Sequence, residues 1–110
     1  MSCINRVILC GTVGQHGTTV SYTQSGTPCA RFTLDLTETG QDGKPHTVRV
    51  DCEVWGKKAE AAGELEAGQL ALFDGKLARR RRNESWETVV SGYDVSAVLP
   101  PVAAQVGSNN

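Results

Sequence analysis

The sequence predicts an all-β fold: a small closed Greek-key barrel of five strands, with one short α-helix between strands 3 and 4. Three observations predict it. Apolar and polar residues alternate with period two along several stretches, as where Ala30, Phe32, Leu34 and Leu36 interleave with Arg31, Thr33 and Asp35. Glycine-rich turn chemistry separates these stretches, drawing on 12 glycines in 110 residues. Only one stretch, KKAEAAGELEA at 57–67, has the alanine- and glutamate-rich composition of a helix. One helix among five strands is not a βαβ alternation, and the spacing is too irregular for a sandwich of even hairpins.

Each element follows from local chemistry. Residues 5–13 form an apolar run rich in β-branched side chains with Gly11 inside it, a long first strand. After a turn at 14–17, residues 18–23 continue it, and Ser25, Gly26, Thr27 and Pro28 turn the chain into the alternating second strand. A glycine-rich loop at 39–45 leads to the third strand, 48–55, and the helix after it is stopped by Gly68. The fourth strand, 70–77, sets Phe73, Gly75 and Leu77 on one side and Leu72, Asp74 and Lys76 on the other. The run RRRRNES breaks the apolar pattern and reads as a loop, after which residues 86–99 form the last strand. Pro100 and Pro101 end a single domain over 1–99, leaving a short uncharged tail over 100–110. A barrel of this kind capped by one helix is the OB-fold, whose sheet face and loops commonly hold oligonucleotides or oligosaccharides.

Composition narrows the function classes. A net charge of −1 argues against bulk electrostatic coating of nucleic acid, but the sum hides a local cluster: Lys76, Arg79, Arg80, Arg81 and Arg82 lie within seven positions. The four cysteines are scattered, with no C-x-x-C and no Cys/His spacing of a zinc site, so they read as small hydrophobes in a reducing compartment and no metal or cofactor is expected. The N-terminal apolar run is too short and too poorly flanked for a signal peptide or membrane span, which points to a cytoplasmic protein. His16 and His46 lie in loops without catalytic partners nearby in sequence, and no phosphate-cradling loop or paired catalytic carboxylates stand out; an enzyme is not expected.

The third strand poses a specific question. Val48, Val50, Cys52 and Val54 share its apolar face, while Arg49, Asp51, Glu53 and Trp55 share the other. Trp55 is therefore out of phase with the core. It either presents a stacking surface beside Lys57 and Lys58, or covers the barrel edge or a subunit interface. The arginine run reads as a phosphate clamp on a flexible loop, or else as a solvated tip. Trp86, just beyond it, is a second stacking candidate or a clasp for the hairpin.

Several segments together resemble the bacterial single-stranded DNA-binding protein family. The stretch 5-NRVILCGTVG-14 resembles its opening strand, and Tyr22, Gly26, Phe32 and Leu34 fit its second-strand pattern. The stretch 54-VWGKKAE-60 resembles its aromatic-Gly-Lys approach to the helix, and Leu65, Gly68, Gly75 and Leu77 fit the L-x-x-G and G-x-L pattern of its fourth strand. The resemblance implies an OB barrel that assembles as a homotetramer and binds single-stranded DNA with little sequence preference in replication, recombination and repair. It places Trp55 where the family carries a base-stacking aromatic, with Arg49, Lys57, Lys58, Lys76, the four arginines and Trp86 as further DNA-binding candidates. Arg49 and Arg82 stand where aromatics are common, and the family's acidic recruiting tail has no counterpart in GSNN, so recruitment of replication or repair partners by that route is not expected. A dimeric primosomal replication protein N type of accessory, or an OB-fold protein-interaction scaffold, are the alternatives.

Overall fold

The computed structural model describes residues 3–99. Its strands are β1 (Val7–Val13), β2 (Thr19–Tyr22), β3 (Pro28–Thr39), β4 (Pro45–Trp55), β5 (Leu70–Arg82) and β6 (Ser85–Leu99), and its helix is α1 (Lys57–Ala62) between β4 and β5. The five expected long strands are β1, β3, β4, β5 and β6. Residues 19–22 form a short strand that runs in the same direction as β1 and, like it, pairs antiparallel with β3, so after the turn at 14–17 they continue the first strand along β3 as expected. The expected tail over 100–110 lies outside the described residues.

Pairing runs around a closed circuit: β1 pairs with β5, β5 with β6, β6 with β4, β4 with β3, and β3 returns to β1. Two of these seams are short. β1 meets β3 at Thr12 and Val13, and β4 meets β6 in parallel over Cys52, Glu53 and Val54. The long antiparallel pairings, β3 with β4 and β5 with β6, extend well beyond the core as two hairpin arms.

The inner face is made by the alternation read in the sequence. Ala30, Phe32, Leu34, Cys52, Val54 and Phe73 are buried together, and Ala59 and Ala62 of α1 cap the cluster. Val48 continues the valine face of β4 but is exposed, since it lies on the arm beyond the core. Aromatics are scarce, and among the described residues Phe73 is the largest fully buried side chain; it meets Phe32 edge-on with ring centroids 5.5 Å apart. Burial of one such ring contributes on the order of 2–3 kcal/mol. The Cys52 thiol, desolvated among these side chains, is pushed up to about 12 and behaves as an apolar filler.

Two corrections concern element limits. The helix ends at Ala62 and not at residue 67, because Gly63 caps it and lies against β2: a Cβ there would come within 2.6 Å of Val20 Cγ2. The arginine run is not a loop. It forms the end of β5, and a two-residue turn at Asn83 and Glu84, with Asn83 in the left-handed region at φ 55°, leads directly into β6. Four like charges break the hydrophobic pattern without breaking the strand, since cross-strand partners on β6 supply what a core would otherwise supply.

A close approach at Gly75 generates a prediction. A Cβ there would sit 2.4 Å from the Ser91 carbonyl oxygen and 2.9 Å from the Phe73 ring, both fixed by the sheet. Gly75→Ala is expected to destabilise the fold by about 1–3 kcal/mol, as overpacking does. Urea unfolding of the variant beside the parent measures it.

Candidate functional site

The outer face of β3 and β4 carries the site. Across this pair Cys29 stands opposite Trp55, Arg31 opposite Glu53, Thr33 opposite Asp51 and Asp35 opposite Arg49. Side chains directly opposed in an antiparallel pair share a face, so Trp55 ends a row of charged residues. Gly56, at φ 81°, turns the chain from Trp55 into α1, and its N–H is bonded to the Pro28 carbonyl at 2.9 Å. Trp55 is thereby fixed at the rim of the barrel, with Lys57 and Lys58 exposed immediately beyond it.

Trp55 is 43% exposed, and its indole N–H donates to Glu53 Oε2. Glu53 itself is only 6% exposed, although it belongs to the charged side of an alternating strand. The reason lies on the arginine arm. Arg80 reaches Glu53 Oε1 with Nη1 at 3.7 Å and donates from Nε to Glu87 at 2.8 Å. A guanidinium held between two carboxylates on neighbouring strands covers the Glu53 side chain. Cys29 is buried beside this group, and desolvation raises its thiol pKa against the opposing pull of Arg31. It stays neutral.

Alternation along β5 divides the arginines. Arg80 and Arg82 share the side that faces Glu53, whereas Arg79 and Arg81 lie over Trp86, with guanidinium carbons 5.3 and 5.9 Å from its ring centroid. Trp86 stands directly across from Arg81 in the hairpin and serves as its clasp, each cation–π contact contributing about 0.5–1 kcal/mol at an exposed position. Arg31, Arg80 and Arg82, with Arg81 at the turn, line an open cleft of about 290 Å³. A neighbouring hollow of about 190 Å³ shares Arg31 and Arg80 and adds His16, Thr19 and Asp51. The two hollows adjoin at Arg31 and Arg80.

The remaining candidates are dispersed. Arg49 is tied to Asp35 at 3.0 Å near the other hairpin, and Lys76 is exposed on β5 before the arm begins. Arg31, Glu53 and Glu87 are functional neighbours that the sequence did not single out. Arg31 and Glu53 were legible only as polar members of alternating strands; their meeting requires the β3–β4 register and the fold of the distant arm. An exposed aromatic beside a groove of guanidinium groups can hold a planar ring and an anionic backbone at once. Among the described residues no helix is long and apolar enough to cross a membrane.

This geometry yields a stability contrast. Removing the Arg80 guanidinium takes from Glu53 and Glu87 the cation that covers and pairs them, so Arg80→Ala is expected to lose about 1–3 kcal/mol. Arg82→Ala, at the exposed tip, is expected to change stability by less than about 0.5 kcal/mol. Denaturant midpoints of the two variants check this.

The chain has relatives of known kind. A family model described as the single-strand binding protein family matches residues 4–98. Single-stranded DNA-binding protein 2 of Listeria innocua serovar 6a is 36% identical over 85 residues, which cover 74% of this chain and 53% of the relative. A crystal structure of a deletion mutant of the single-stranded DNA binding protein from Thermus aquaticus superposes with a TM-score of 0.70 at 26% identity, over 86% of this chain and 50% of that one. The chain spans about half the length of the relatives it matches.

Proposed function

The chain belongs to the single-strand binding protein family, and from that premise we propose that it binds single-stranded DNA with little sequence preference and without a chemical step, protecting the strand during replication, recombination and repair in the cytoplasm. The observation that carries this reading is the exposed Trp55, joined through Glu53 to Arg80 of an arginine-lined cleft. A single strand offers unstacked base faces and a phosphate backbone, and a binder indifferent to sequence meets the first with aromatics and the second with cations. The relatives named for single-stranded DNA binding support the same ligand.

The cations do not contribute equally. Arg80 and Arg49 are already engaged by carboxylates, so phosphate contact falls to Arg31, Arg81, Arg82 and Lys57. With about four of these neutralising phosphates, log K should fall with log salt at a slope of about −3. Arg82→Ala should flatten the slope by about 0.7, the share of one phosphate contact, whereas Arg80→Ala should leave it nearly unchanged. Trp55→Ala should weaken binding by about 1–3 kcal/mol for each base stacked while leaving the slope alone, because it removes a π-face and no charge. Titrations with single-stranded DNA, duplex DNA and single-stranded RNA, followed by tryptophan emission, test the ligand. A Trp55→Ala variant that is intact and binds as tightly as the parent would refute the stacking role.

The same protein is proposed to assemble as a homotetramer. Support comes from the outer face of β1 and β5, where Ile8 is 62% exposed and Cys10, opposite Leu72, is exposed beside it. Apolar residues on both faces of a strand suit burial by a second copy. Native mass measurement is expected to give four subunits, and Ile8→Asp to give smaller species; two subunits for the parent would fit the dimeric accessory instead.

A further inference from the structure

Glu53 is hard to account for by stability alone. A glutamate on the outer face of a strand is normally solvated, and one this deeply buried requires a partner. Its partner arrangement is incomplete: Oε2 accepts from the Trp55 indole, while Oε1 is buried, lies 3.7 Å from Arg80 Nη1, and among the described residues has no hydrogen-bond donor. An apolar side chain packed in the same place would serve stability as well or better. Glu53 also places a carboxylate beside a groove proposed for phosphates, which works against binding unless the charge is offset. What a carboxylate provides here, and an apolar group does not, is an acceptor for the indole N–H.

We propose that Glu53 is the positioning residue of the stacking site: it holds the Trp55 ring by its edge, while Arg80, drawn between Glu53 and Glu87, holds and neutralises the carboxylate. The inference rests on the single-strand reading of the groove. A half-exposed tryptophan has rotamers to lose when a base stacks on it, and that ordering opposes binding. Fixing the ring beforehand removes the opposition. The hydrogen bond uses the edge of the indole and not its π-face, so holding and stacking do not compete. The surroundings fit a fixed ring. Cys29, across from Trp55, is buried and neutral, and the turn after Trp55 is tied to Pro28. Arg80 is on this account a support for the site and not a ligand of phosphate.

The test uses the full chain with Trp86→Phe, so that Trp55 is the sole tryptophan. Glu53→Gln retains an acceptor for the indole; Glu53→Val, a good strand former, removes it. Emission, quenching and anisotropy of Trp55 are read without DNA, and then a thymidine oligonucleotide is titrated at several salt concentrations. Glu53→Gln is expected to keep the ring held and to bind as tightly as the parent or more tightly. Glu53→Val is expected to free the ring and to weaken binding about fivefold or more, the lower end of what one stacked base contributes, with the salt slope unchanged. In a Trp55→Ala background Glu53→Val should have no further effect on binding. A folded Glu53→Val variant with the parent's anisotropy and affinity, or a loss that persists undiminished with Trp55→Ala, overturns the proposal. Should Glu53→Val fail to fold, Glu53→Gln decides, since a freed ring in that variant is equally fatal. A parent that binds no oligonucleotide defeats the single-strand reading, while the anisotropy series still decides whether Glu53 holds the ring.

Discussion

The architecture depends on how Phe73 is accommodated. With few aromatics to fill a closed sheet, one ring must occupy the centre, and it needs space that ordinary side chains would take. Gly75 and Gly92 provide it from the paired strands β5 and β6. At Gly92 a Cβ would lie 2.6 Å from Phe73 Cζ and 3.0 Å from Val54 Cγ2. Between Asp74 and Gly75 the β5–β6 register shifts, and Gly92 then stands beside Val54 in the short parallel seam that joins β6 to β4. The plug, the bulge and the seam therefore form one unit. Bulges sharpen twist and redirect strands, and the course of β6 beyond this point carries the arginine arm across the outer face of β4.

That placement decides the electrostatics of the groove. The sheet face is nearly balanced in charge, with Arg31 and Arg49 among Asp35, Asp51 and Glu53, so little attraction for an anion comes from the sheet alone. The arm changes this by adding guanidinium groups from one side only. Its first inward arginine is consumed by Glu53 and Glu87, and attraction is left to the tip and to Arg31. A net charge near zero is then compatible with local binding of a polyanion, since the field within a Debye length is set by which charges remain uncompensated.

Much of this is legible in residue order, and the failures have physical causes. Period-two alternation locates the long strands and their inner faces, because a closed sheet has one side that must be dry. Trp55 stands out as an aromatic on the wrong side of its own strand. The arginine run reads as a loop because hydrophobic pattern is the usual sign of a strand, and an arm that leaves the core has none to show. The helix reads too long because composition does not register that Gly63 must touch Val20. Glu53 is invisible as a buried residue. Its burial is produced by Arg80, on a strand far along the chain, and by a register that no local rule contains.

The two tryptophans show why exposure alone is a poor guide to a binding surface. Trp55 and Trp86 are similarly accessible, at 43% and 54%. They differ in which part of the ring is already in use. Trp86 has two guanidinium groups over its ring, so a base could stack there only by displacing contacts that hold the hairpin together. Trp55 is engaged through its N–H, at the edge, by a carboxylate that cannot occupy the π-face while making that bond. Given a ligand whose planar groups bind face to face, the edge-held ring is the better platform and the face-covered ring the better clasp. The arginines divide in a similar way: Arg79 stiffens the arm over Trp86, Arg80 beside Glu53 secures the platform, and Arg81, which shares the Trp86 ring but also lines the cleft, remains with Arg82 to meet the strand.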